Sequence, residues 1–369
     1  MNSVINYYST KSFCYKCQKH VDGIISYKTD KKVYLNLKCS CPNLEFIVEN
    51  DYRFWDGLLT ALKNNKNYLE SDDNDNTAID VTSRCNLQCK HCYYEPDNSV
   101  KDKPIEEILK LIKFVKTRDV VLVGAESTLR KDIFELIDRI AEFKEVSIHT
   151  NAQKLADINF VKELKKTRLK LLNISIHNDE YHSNKEVFNK AVKGLWNSVK
   201  LDIKIGGLAF VVVTQKDVQK TVDFIIDFEK KFNFYKKYLN LKNDLKTTKY
   251  LIYAPMRAGR YVKEEPEIFV SDLYKMFDIA LANRNIDIDK EIFDGINTPY
   301  EVALKQSSLE GSIQFHAYSN AAQGFDLNIV SVYSKIRPNF ITKEGFNDFI
   351  AHSIAVGKLA PDYLKSIKP

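Results

Sequence analysis

The sequence predicts an α/β fold built around a partial barrel of six parallel strands, with a small cysteine-bearing module before it and an α+β region after it. Three observations predict this fold. Six short apolar runs alternate with five amphipathic stretches, four cysteines flank two alternating runs near the N-terminus, and strand-like runs return after residue 300. Strands that alternate with helices are typical of parallel sheets built from βαβ units.

The first module, residues 1–50, contains two cysteine pairs: Cys14 and Cys17, then Cys39 and Cys41. Between them, alternating runs over 21–27 and 32–38 predict a β-hairpin. Four thiolates at the base of such a hairpin bind zinc tetrahedrally and supply folding energy to a segment with little core of its own, as in zinc ribbons. Because the second pair has one intervening residue instead of the usual two, mononuclear iron, an auxiliary cluster and no metal remain alternatives to zinc.

Residues 51–76 predict a helix followed by a solvated linker. Apolar residues recur at helical spacing from Phe54 to Leu62, and the segment 70–76 is acidic and polar. The barrel domain is therefore expected to span residues 77–258. Its strands are predicted at 79–82, 120–123, 146–150, 171–176, 203–213 and 251–254, and its helices at 104–117, 131–143, 159–166, 185–200 and 216–232.

The last region, residues 259–369, carries a weaker pattern. A helix is predicted at 270–283, strand-like runs at 312–317 and 327–333, and a terminal helix at 343–356. We expect this region to cap the open barrel and to determine substrate choice. His316 and Tyr318 either face the substrate or belong to the core.

Composition and charge bear on whether the chain binds nucleic acid, is secreted or spans a membrane. The 55 basic and 49 acidic residues give a formal net charge of only +6, so charge alone does not predict nucleic-acid binding. The segment 229–249 nevertheless interleaves seven lysines with aromatic residues, either as a solvated helix or as a surface for an anionic polymer. The sequence shows neither a secretion signal nor a membrane-spanning run, so we expect a cytoplasmic protein. Because the cytoplasm is reducing, we expect its clustered cysteines to bind metals.

The most informative motif is Cys85-Asn-Leu-Gln-Cys89-Lys-His-Cys92. Three thiolates at this spacing can ligate three irons of a [4Fe-4S] cluster and leave the fourth iron open for chemistry. The motif follows a predicted strand, and loops at the carboxyl ends of parallel strands form the ligand sites of α/β folds. The alternatives are a three-ligand zinc site and buried thiols with an accidental neighbour.

Four segments in order resemble the radical S-adenosylmethionine (radical SAM) superfamily, in the branch of molybdenum cofactor protein A and the peptide-modifying maturases. The resemblance covers about residues 78–258. The segment 84–93 is similar to the cluster loop of that branch. Gly124-Ala-Glu-Ser-Thr-Leu is similar to its Gly-Gly-Glu-Pro-Thr-Leu segment. His149-Thr-Asn-Ala is similar to its Thr-Asn-Gly segment, and Ile174-Ser-Ile-His is similar to its Ser-Leu-Asp segment.

The resemblance implies a specific set of cofactors and site residues. Cys85, Cys89 and Cys92 would hold a [4Fe-4S] cluster. We expect only this one cluster, because the cysteine-rich C-terminal extension with which the maturases bind extra clusters is absent here. Residues expected to contact SAM are Gly124, Ala125, Glu126, Thr150, Asn151 and Ser175. Glu126 would bind the ammonium group of SAM by a charge-assisted contact.

The implied activity is reductive cleavage of SAM to a 5′-deoxyadenosyl radical, which removes hydrogen from a peptide or a small biosynthetic intermediate. An electron donor such as flavodoxin or ferredoxin would be a partner. Alternatives are an RNA-modifying or methyl-transferring radical SAM enzyme, and a zinc-stabilised binding module without catalysis. The chain departs from the resemblance at Ala125, at Ser127, which replaces a proline, and at His177, which replaces an aspartate. His177 is therefore either a ligand contact or a structural residue.

Overall fold

A computed structural model describes residues 7–14, 16, 19–42, 45–55, 76–92, 96–115, 117–177, 184–255, 268–286, 288–289, 301–306, 309–316 and 329–331. Most of the helix and linker predicted at 51–76, Cys17, Tyr318 and the predicted terminal helix at 343–356 lie outside these residues. The side chains of Cys14 and His316 lie outside the description as well.

The N-terminal module is an antiparallel sheet of four strands rather than the predicted two. The strands β1 (Tyr7–Cys14), β2 (Lys19–Tyr27), β3 (Val33–Leu37) and β4 (Glu45–Glu49) pair in chain order. Its small core contains the buried side chains of Ile25, Tyr27, Val33 and Leu35. The outer strands escaped prediction because β1 is mostly polar and β4 has only five residues, so neither shows a clear alternation.

The predicted barrel core is confirmed. Six parallel neighbours form in chain order: β5 (Asn76–Asp80), β6 (Asp119–Val123), β7 (Glu145–Thr150), β8 (Leu171–Ser175), β9 (Ile205–Val211) and β10 (Lys249–Tyr253). One helix lies between each pair of consecutive strands: α1 (Ile105–Phe114), α2 (Ile133–Ile140), α3 (Ile158–Lys166), α4 (Lys185–Lys200) and α5 (Gln215–Leu239).

The two faces of this sheet differ in chemistry. Alternate strand residues such as Leu122, Ile148 and Ile174 are fully buried in one large core with the helices. Because successive strand residues point to opposite faces, the intervening positions lie on the other face. Those positions include Ser147, His149 and Ser175. The sheet therefore has an apolar face against the helices and a second face that carries these polar residues, which we call the inner face.

Strands of the C-terminal region extend both edges of the core sheet. β13 (Ser312–His316) runs parallel to β10, and β12 (Glu301–Gln306) and β11 (Ile288–Asp289) follow it in antiparallel pairing. β14 (Ile329–Ser331) pairs in parallel with β5 at the opposite edge. The region predicted as a cap thus also contributes to the sheet itself.

A buried carboxylate on α5 fixes β13 beside β10. Glu229 accepts hydrogen bonds from Tyr250 Oη at 2.7 Å and from the backbone nitrogens of Glu310 and Gly311, both at 3.0 Å. A Cβ atom on Gly311 would lie 2.7 Å from the Tyr250 ring, so the turn before β13 requires glycine here. This contact explains how an edge strand from a distant part of the sequence is held in register.

The N-terminal sheet contacts helix α6 (Val270–Ala282) through the residues that end β4. Ser271 Oγ donates to Glu49 at 2.5 Å, Asn50 Nδ2 donates to Asp272 at 2.9 Å, and Lys275 Nζ donates to Asp51 at 3.2 Å. Three consecutive residues of the module therefore bind one side of the first turns of α6. Across the described ranges, no helix has the length and apolar character needed to cross a membrane.

Candidate functional site

The cysteine motif forms a loop at the carboxyl end of β5. Cys85 N donates to Asn98 Oδ1 at 3.0 Å, and Cys92 N donates to Cys89 O at 3.2 Å. The side chains of the three cysteines are half-buried. The loop therefore brings three thiols to the carboxyl edge of the sheet in a backbone conformation held by hydrogen bonds.

Arg84, directly before the first cysteine, ties this loop to its neighbours. Its guanidinium forms an ion pair with Asp102, and Nη2 also donates to Leu129 O at 3.1 Å. Thr82 Oγ1 donates to the same Asp102 carboxylate at 2.6 Å. Since Leu129 belongs to the short 3-10 helix Ser127–Leu129, which follows Glu126, Arg84 connects the cysteine loop to the glutamate loop.

The glutamate loop depends on Gly124. This residue has φ +131°, and a Cβ atom there would lie 2.4 Å from Thr82 O. Only glycine tolerates that combination of backbone conformation and close approach. The next residue, Ala125, donates its backbone N–H to Thr82 O at 3.0 Å, so the loop lies directly against the base of the cysteine loop.

Glu126 is buried and surrounded by hydrogen-bond donors. Its Oε1 accepts from Thr128 N at 3.2 Å, Thr128 Oγ1 at 2.5 Å and Thr150 Oγ1 at 2.6 Å. Its Oε2 accepts from Asn151 N at 2.7 Å. Burial raises the pKa of this carboxyl, and the four donors oppose that rise by stabilising the ionised form. Among the described residues Oε2 has a single donor, so it retains capacity for a cationic ligand.

Asn151 joins the two loops. Its backbone nitrogen binds Glu126, while its side-chain Nδ2 donates to Asn86 Oδ1 at 2.9 Å and to Cys85 Sγ at 3.8 Å. Three motifs that are far apart in the sequence, around Cys85, Glu126 and Asn151, therefore meet at the carboxyl edge.

The electrostatics of the cysteine loop favour a bound metal. Burial, together with the negative charges of Glu126, Cys92 and Cys89, raises the pKa of Cys85 to about 12, although the hydrogen bond from Leu87 N opposes this rise. A cationic metal centre reverses this balance by stabilising the thiolates. The donor set of three cysteines thus fits a thiolate-bound metal group.

The arrangement of the three thiols is compatible with ligands that each bind a different iron. Within the part of the chain that the structure describes, no three Cys, His, Asp or Glu side chains converge on one ion-sized point. The cysteine ligands of a [4Fe-4S] cluster each bind a different iron, so they need not converge in that way.

Histidines line the same edge. The rings of His91, from the cysteine loop, and His177, after β8, meet edge to face with centroids 4.4 Å apart. His177 Nδ1 accepts the backbone N–H of Val211 at 3.3 Å, which fixes its ring against β9. On the inner face, His149 Nε2 lies 3.1 Å from Ser175 Oγ. Burial lowers the pKa of His149 to about 4, so this ring is neutral at physiological pH.

The structure gives some predicted residues roles other than ligand contact. Thr150 is buried, and its hydroxyl donates a hydrogen bond to Glu126 Oε1. Ser127, where the resemblance has proline, donates its hydroxyl to His149 O at 3.1 Å and so ties the glutamate loop to β7. Gly206 packs tightly against Leu171, beside an irregularity in the pairing of β8 and β9.

Sequence reasoning missed the Arg84 and Asp102 ion pair, the ring contact of His91 with His177, and the role of Arg130. The Arg130 side chain is 1% exposed, and it donates to Val81 O at 2.8 Å and Lys103 O at 3.0 Å behind the cysteine loop. The two arginines flank the recognised motifs directly, and that position was the available signal. Apart from Asp132, two residues from Arg130, their partners lie 18 to 49 residues away in the chain, and spacing alone does not reveal them.

Three of the N-terminal cysteines, Cys14, Cys39 and Cys41, lie at one end of the small sheet. In an antiparallel sheet with strands in chain order, the first and third turns lie at the same end. Cys14 ends β1 before the first turn, and Cys39 and Cys41 follow β3 in the third. Lys16 Nζ, in the first turn, donates to Pro42 O, in the third, at 2.5 Å. The two turns are therefore in contact.

Comparison with known proteins agrees with this geometry. Residues 79–225 match the radical SAM superfamily. A probable GTP 3′,8-cyclase of Archaeoglobus fulgidus is 27% identical over 167 residues, which cover 42% of this chain and 56% of that protein. A GTP 3′,8-cyclase of Campylobacter jejuni is 32% identical over 144 residues, which cover 34% of this chain and 44% of that protein. The chain thus spans about half the length of these curated relatives.

Solved structures resemble the chain more weakly. The crystal structure of Streptococcus suis SuiB bound to precursor peptide SuiA has a TM-score of 0.43 and 16% identity, and the match covers 67% of this chain and 55% of that one. Native anSMEcpe with bound AdoMet and Cp18Cys peptide has a TM-score of 0.38 and 20% identity, with 57% and 59% covered.

The assignment therefore depends on the six-strand parallel sheet, the cysteine loop at its carboxyl edge and the match over residues 79–225. Together these make residues 79–225 of this chain similar to the radical SAM superfamily.

Proposed function

We propose that the chain is a radical SAM enzyme that binds one [4Fe-4S] cluster through Cys85, Cys89 and Cys92. One observation carries this proposal: the cysteine loop and the glutamate loop share Asn151, which donates to Cys85 Sγ with its side chain and to Glu126 with its backbone. A ligand held by the glutamate loop would therefore lie beside the group held by the cysteines.

Glu126 is the residue that binds the ammonium group of SAM. Its Oε1 is used by three donors of the protein, whereas Oε2 has one described donor and faces the Asn151 backbone. An ammonium at Oε2 would form a charge-assisted hydrogen bond and would offset the burial of the carboxylate. Glu126 thereby fixes the position of the methionine end of SAM.

The neighbouring residues shape the same site. Gly124 and Ala125 are candidates for backbone contacts with SAM. Gly124 also lets the loop pack closely on Thr82, because a side chain at 124 would strike Thr82 O. Thr150 orients Glu126, and Asn151 orients both loops. Ser175, on the inner face beside His149, is the candidate for a contact with the ribose or carboxylate of SAM.

A [4Fe-4S] cluster held by Cys85, Cys89 and Cys92 would, when reduced, supply one electron to the sulfonium of SAM, giving methionine and a 5′-deoxyadenosyl radical for hydrogen abstraction. The protein's contribution is to orient the reactants and to exclude competing reactions. The inner face, lined at Ser147, His149 and Ser175 by small or neutral polar side chains, suits that task. The substrate is a peptide or a small biosynthetic intermediate, and a flavodoxin or ferredoxin is the electron donor.

Anaerobic reconstitution tests this proposal. We expect about four irons at the cysteine loop and release of 5′-deoxyadenosine from SAM in the presence of a reductant. Glu126→Gln removes the carboxylate charge at nearly constant size and should weaken SAM binding about tenfold or more, as expected for a hydrogen bond to a charged group. Iron content should stay unchanged, since this side chain is not a cluster ligand.

The matched control is Glu135→Gln, an exposed carboxylate on α2. It should bind SAM like the unmodified protein. A chain that takes up iron and sulfide but releases no 5′-deoxyadenosine, or that binds SAM equally well after Glu126→Gln, would contradict the proposed function.

We further propose that the four N-terminal cysteines bind one structural metal, zinc in preference to iron. The contact between Lys16 and Pro42, which joins the two cysteine-bearing turns, supports this proposal. A small sheet with four buried apolar side chains in its core gains most from such a site.

A further inference from the structure

The second half of α5 carries an exposed aromatic pair. Phe234 and Tyr238 are 65% and 75% exposed, and Leu239 beside them is 41% exposed. The two rings are stacked with centroids 6.0 Å apart and planes 5° apart. Within the described residues, these three account for half of the six exposed large hydrophobic side chains, so they form a concentrated patch rather than scattered exposure.

Lysines flank the aromatic pair on the same face of the helix. At 3.6 residues per turn, Lys230 and Lys237 lie on one side of the rings and Lys231 lies on the other. All three are exposed. The acidic residue of this face, Asp227, pairs with Lys231 at 3.1 Å. We call this surface, formed by Lys230, Lys231, Phe234, Lys237 and Tyr238, the aromatic-lysine face.

Packing does not require the two exposed rings. The core side of α5 is formed by other residues: Phe228 and Phe232 are buried, and Tyr235 packs against Trp196 with centroids 5.4 Å apart. Lysines in the last turn stabilise the negative end of the helix dipole, which explains some of the charge. An aromatic pair at i and i+4, such as Phe234 and Tyr238, stabilises a helix only slightly. Helix stability alone therefore gives little reason to expose two large rings.

We propose that the aromatic-lysine face binds single-stranded nucleic acid. Flat aromatic rings stack with unpaired bases, and flanking lysines contact the phosphates. A duplex hides its base faces and an acidic peptide lacks bases, so neither would use the rings. An apolar protein partner would leave the lysines without counter-charges.

This surface lies away from the cysteine loop. α5 begins after the carboxyl end of β9, and its 25 residues span about 37 Å, so the aromatic-lysine face lies toward the opposite end of the core. The surface therefore serves as a docking site that is independent of the proposed SAM chemistry. Its function goes beyond the proposed function and can be tested separately.

Fluorescence anisotropy with a labelled oligouridylate of about twelve nucleotides tests the inference on the full chain. F234S/Y238S should weaken binding about tenfold or more, because each stacked base contributes substantially to affinity. K230Q/K231Q/K237Q should lower the slope of log affinity against log salt by about two, at about 0.7 per phosphate contact. SAM cleavage should be unchanged in both variants.

Matched variants elsewhere separate this surface from general charge and exposure. F143S removes a ring that is 41% exposed after α2, and K162Q/K165Q/K166Q removes three exposed lysines from α3. Neither should change binding. The inference would be overturned if the chain did not bind the oligouridylate, or if these controls weakened binding as much as the test variants. Equal affinity for polyglutamate or for a duplex of equal length would also overturn it. So would a change only in oligomeric state after F234S/Y238S.

Discussion

At the scale of single residues, Glu126 combines burial with a requirement for charge. Burial raises the pKa of its carboxyl, while donors from Thr128, Thr150 and Asn151 stabilise the ionised form. A carboxylate that must bind an ammonium has to remain ionised, so its donors are as important as the acid itself. We therefore propose that Thr150, predicted from the sequence as a ligand contact, acts through its hydrogen bond to Glu126.

Thr150→Val tests this positioning role. Valine has nearly the shape of threonine but lacks the hydroxyl that donates to Glu126 at 2.6 Å. Loss of one donor raises the pKa of Glu126 further, so SAM affinity should fall about tenfold at neutral pH and recover as the pH rises. The measurement is SAM binding to the reconstituted protein as a function of pH.

Thr150→Ser keeps the hydroxyl and should restore most of the affinity. A purely structural role would give a different result: Val would then lower the melting temperature without moving the pH at which SAM binding is half-maximal. Equal affinities for the Val and Ser variants would contradict the positioning role.

At the scale of elements, the core of the fold is predictable from sequence because each strand is short, apolar and followed by an amphipathic helix. α4 matches its predicted bounds, and the six parallel strands shift by only a few residues. Helix α5 runs seven residues past its predicted end, to a left-handed Asn240, because Tyr235 packs on Trp196 and prolongs the apolar face.

Contacts between distant segments account for what the sequence does not predict. β13 is held by the buried Glu229, and the cysteine loop is held by Arg84 and Asp102. A charged residue is normally predicted to be exposed. Its burial can be predicted only when the hydrogen-bond donors that surround it are known. The motif residues around Cys85, Glu126 and Asn151 were predictable because their chemistry is local.

The junction between β4 and α6 has a further charged group of this kind. Glu49 is 3% exposed and accepts from Ser271 Oγ, Ser271 N and Asn50 N. Burial, together with the nearby Asp272 carboxylate, raises the pKa of Glu49 from 4.5 to about 7 despite these donors. Lys275 faces the junction but pairs with Asp51.

This shift predicts that the junction weakens as the pH rises. Because the pKa is higher in the folded state than in the unfolded state, the contribution is complete below about pH 4.5 and is lost as the pH rises through about 7. At 1.36 kcal/mol per pKa unit, the loss is about 3 kcal/mol. Glu49→Gln should therefore flatten the pH dependence of unfolding and stabilise the protein near pH 8, as measured by urea titration.

Glu45→Gln is the control on the same strand. Its carboxylate is 44% exposed and pairs with Lys28, so its loss should leave the slope between pH 5 and 8 nearly unchanged. Equal pH slopes for Glu49→Gln and the unmodified protein would contradict the assignment of this titration to Glu49.

At the scale of the whole molecule, two sheets of different size depend on different sources of stability. The ten-stranded sheet has an extensive core with six helices, whereas the four-stranded sheet has four buried apolar side chains. A core of that size gives a short segment little stability, and a metal site is the usual supplement. The two cysteine groups should therefore respond differently to metal removal.

Cys39→Ser tests this separation. Loss of one of four thiolates should reduce zinc from about one per chain to nearly none, with iron at the Cys85 loop unchanged. Since structural zinc contributes on the order of 10 kcal/mol to small modules, amide exchange over residues 19–49 should become fast while the barrel strands stay protected. Ser40→Ala, between the two cysteines, should change neither metal nor exchange. If Cys39→Ser instead lowered the iron content and left zinc absent throughout, the N-terminal metal would be iron.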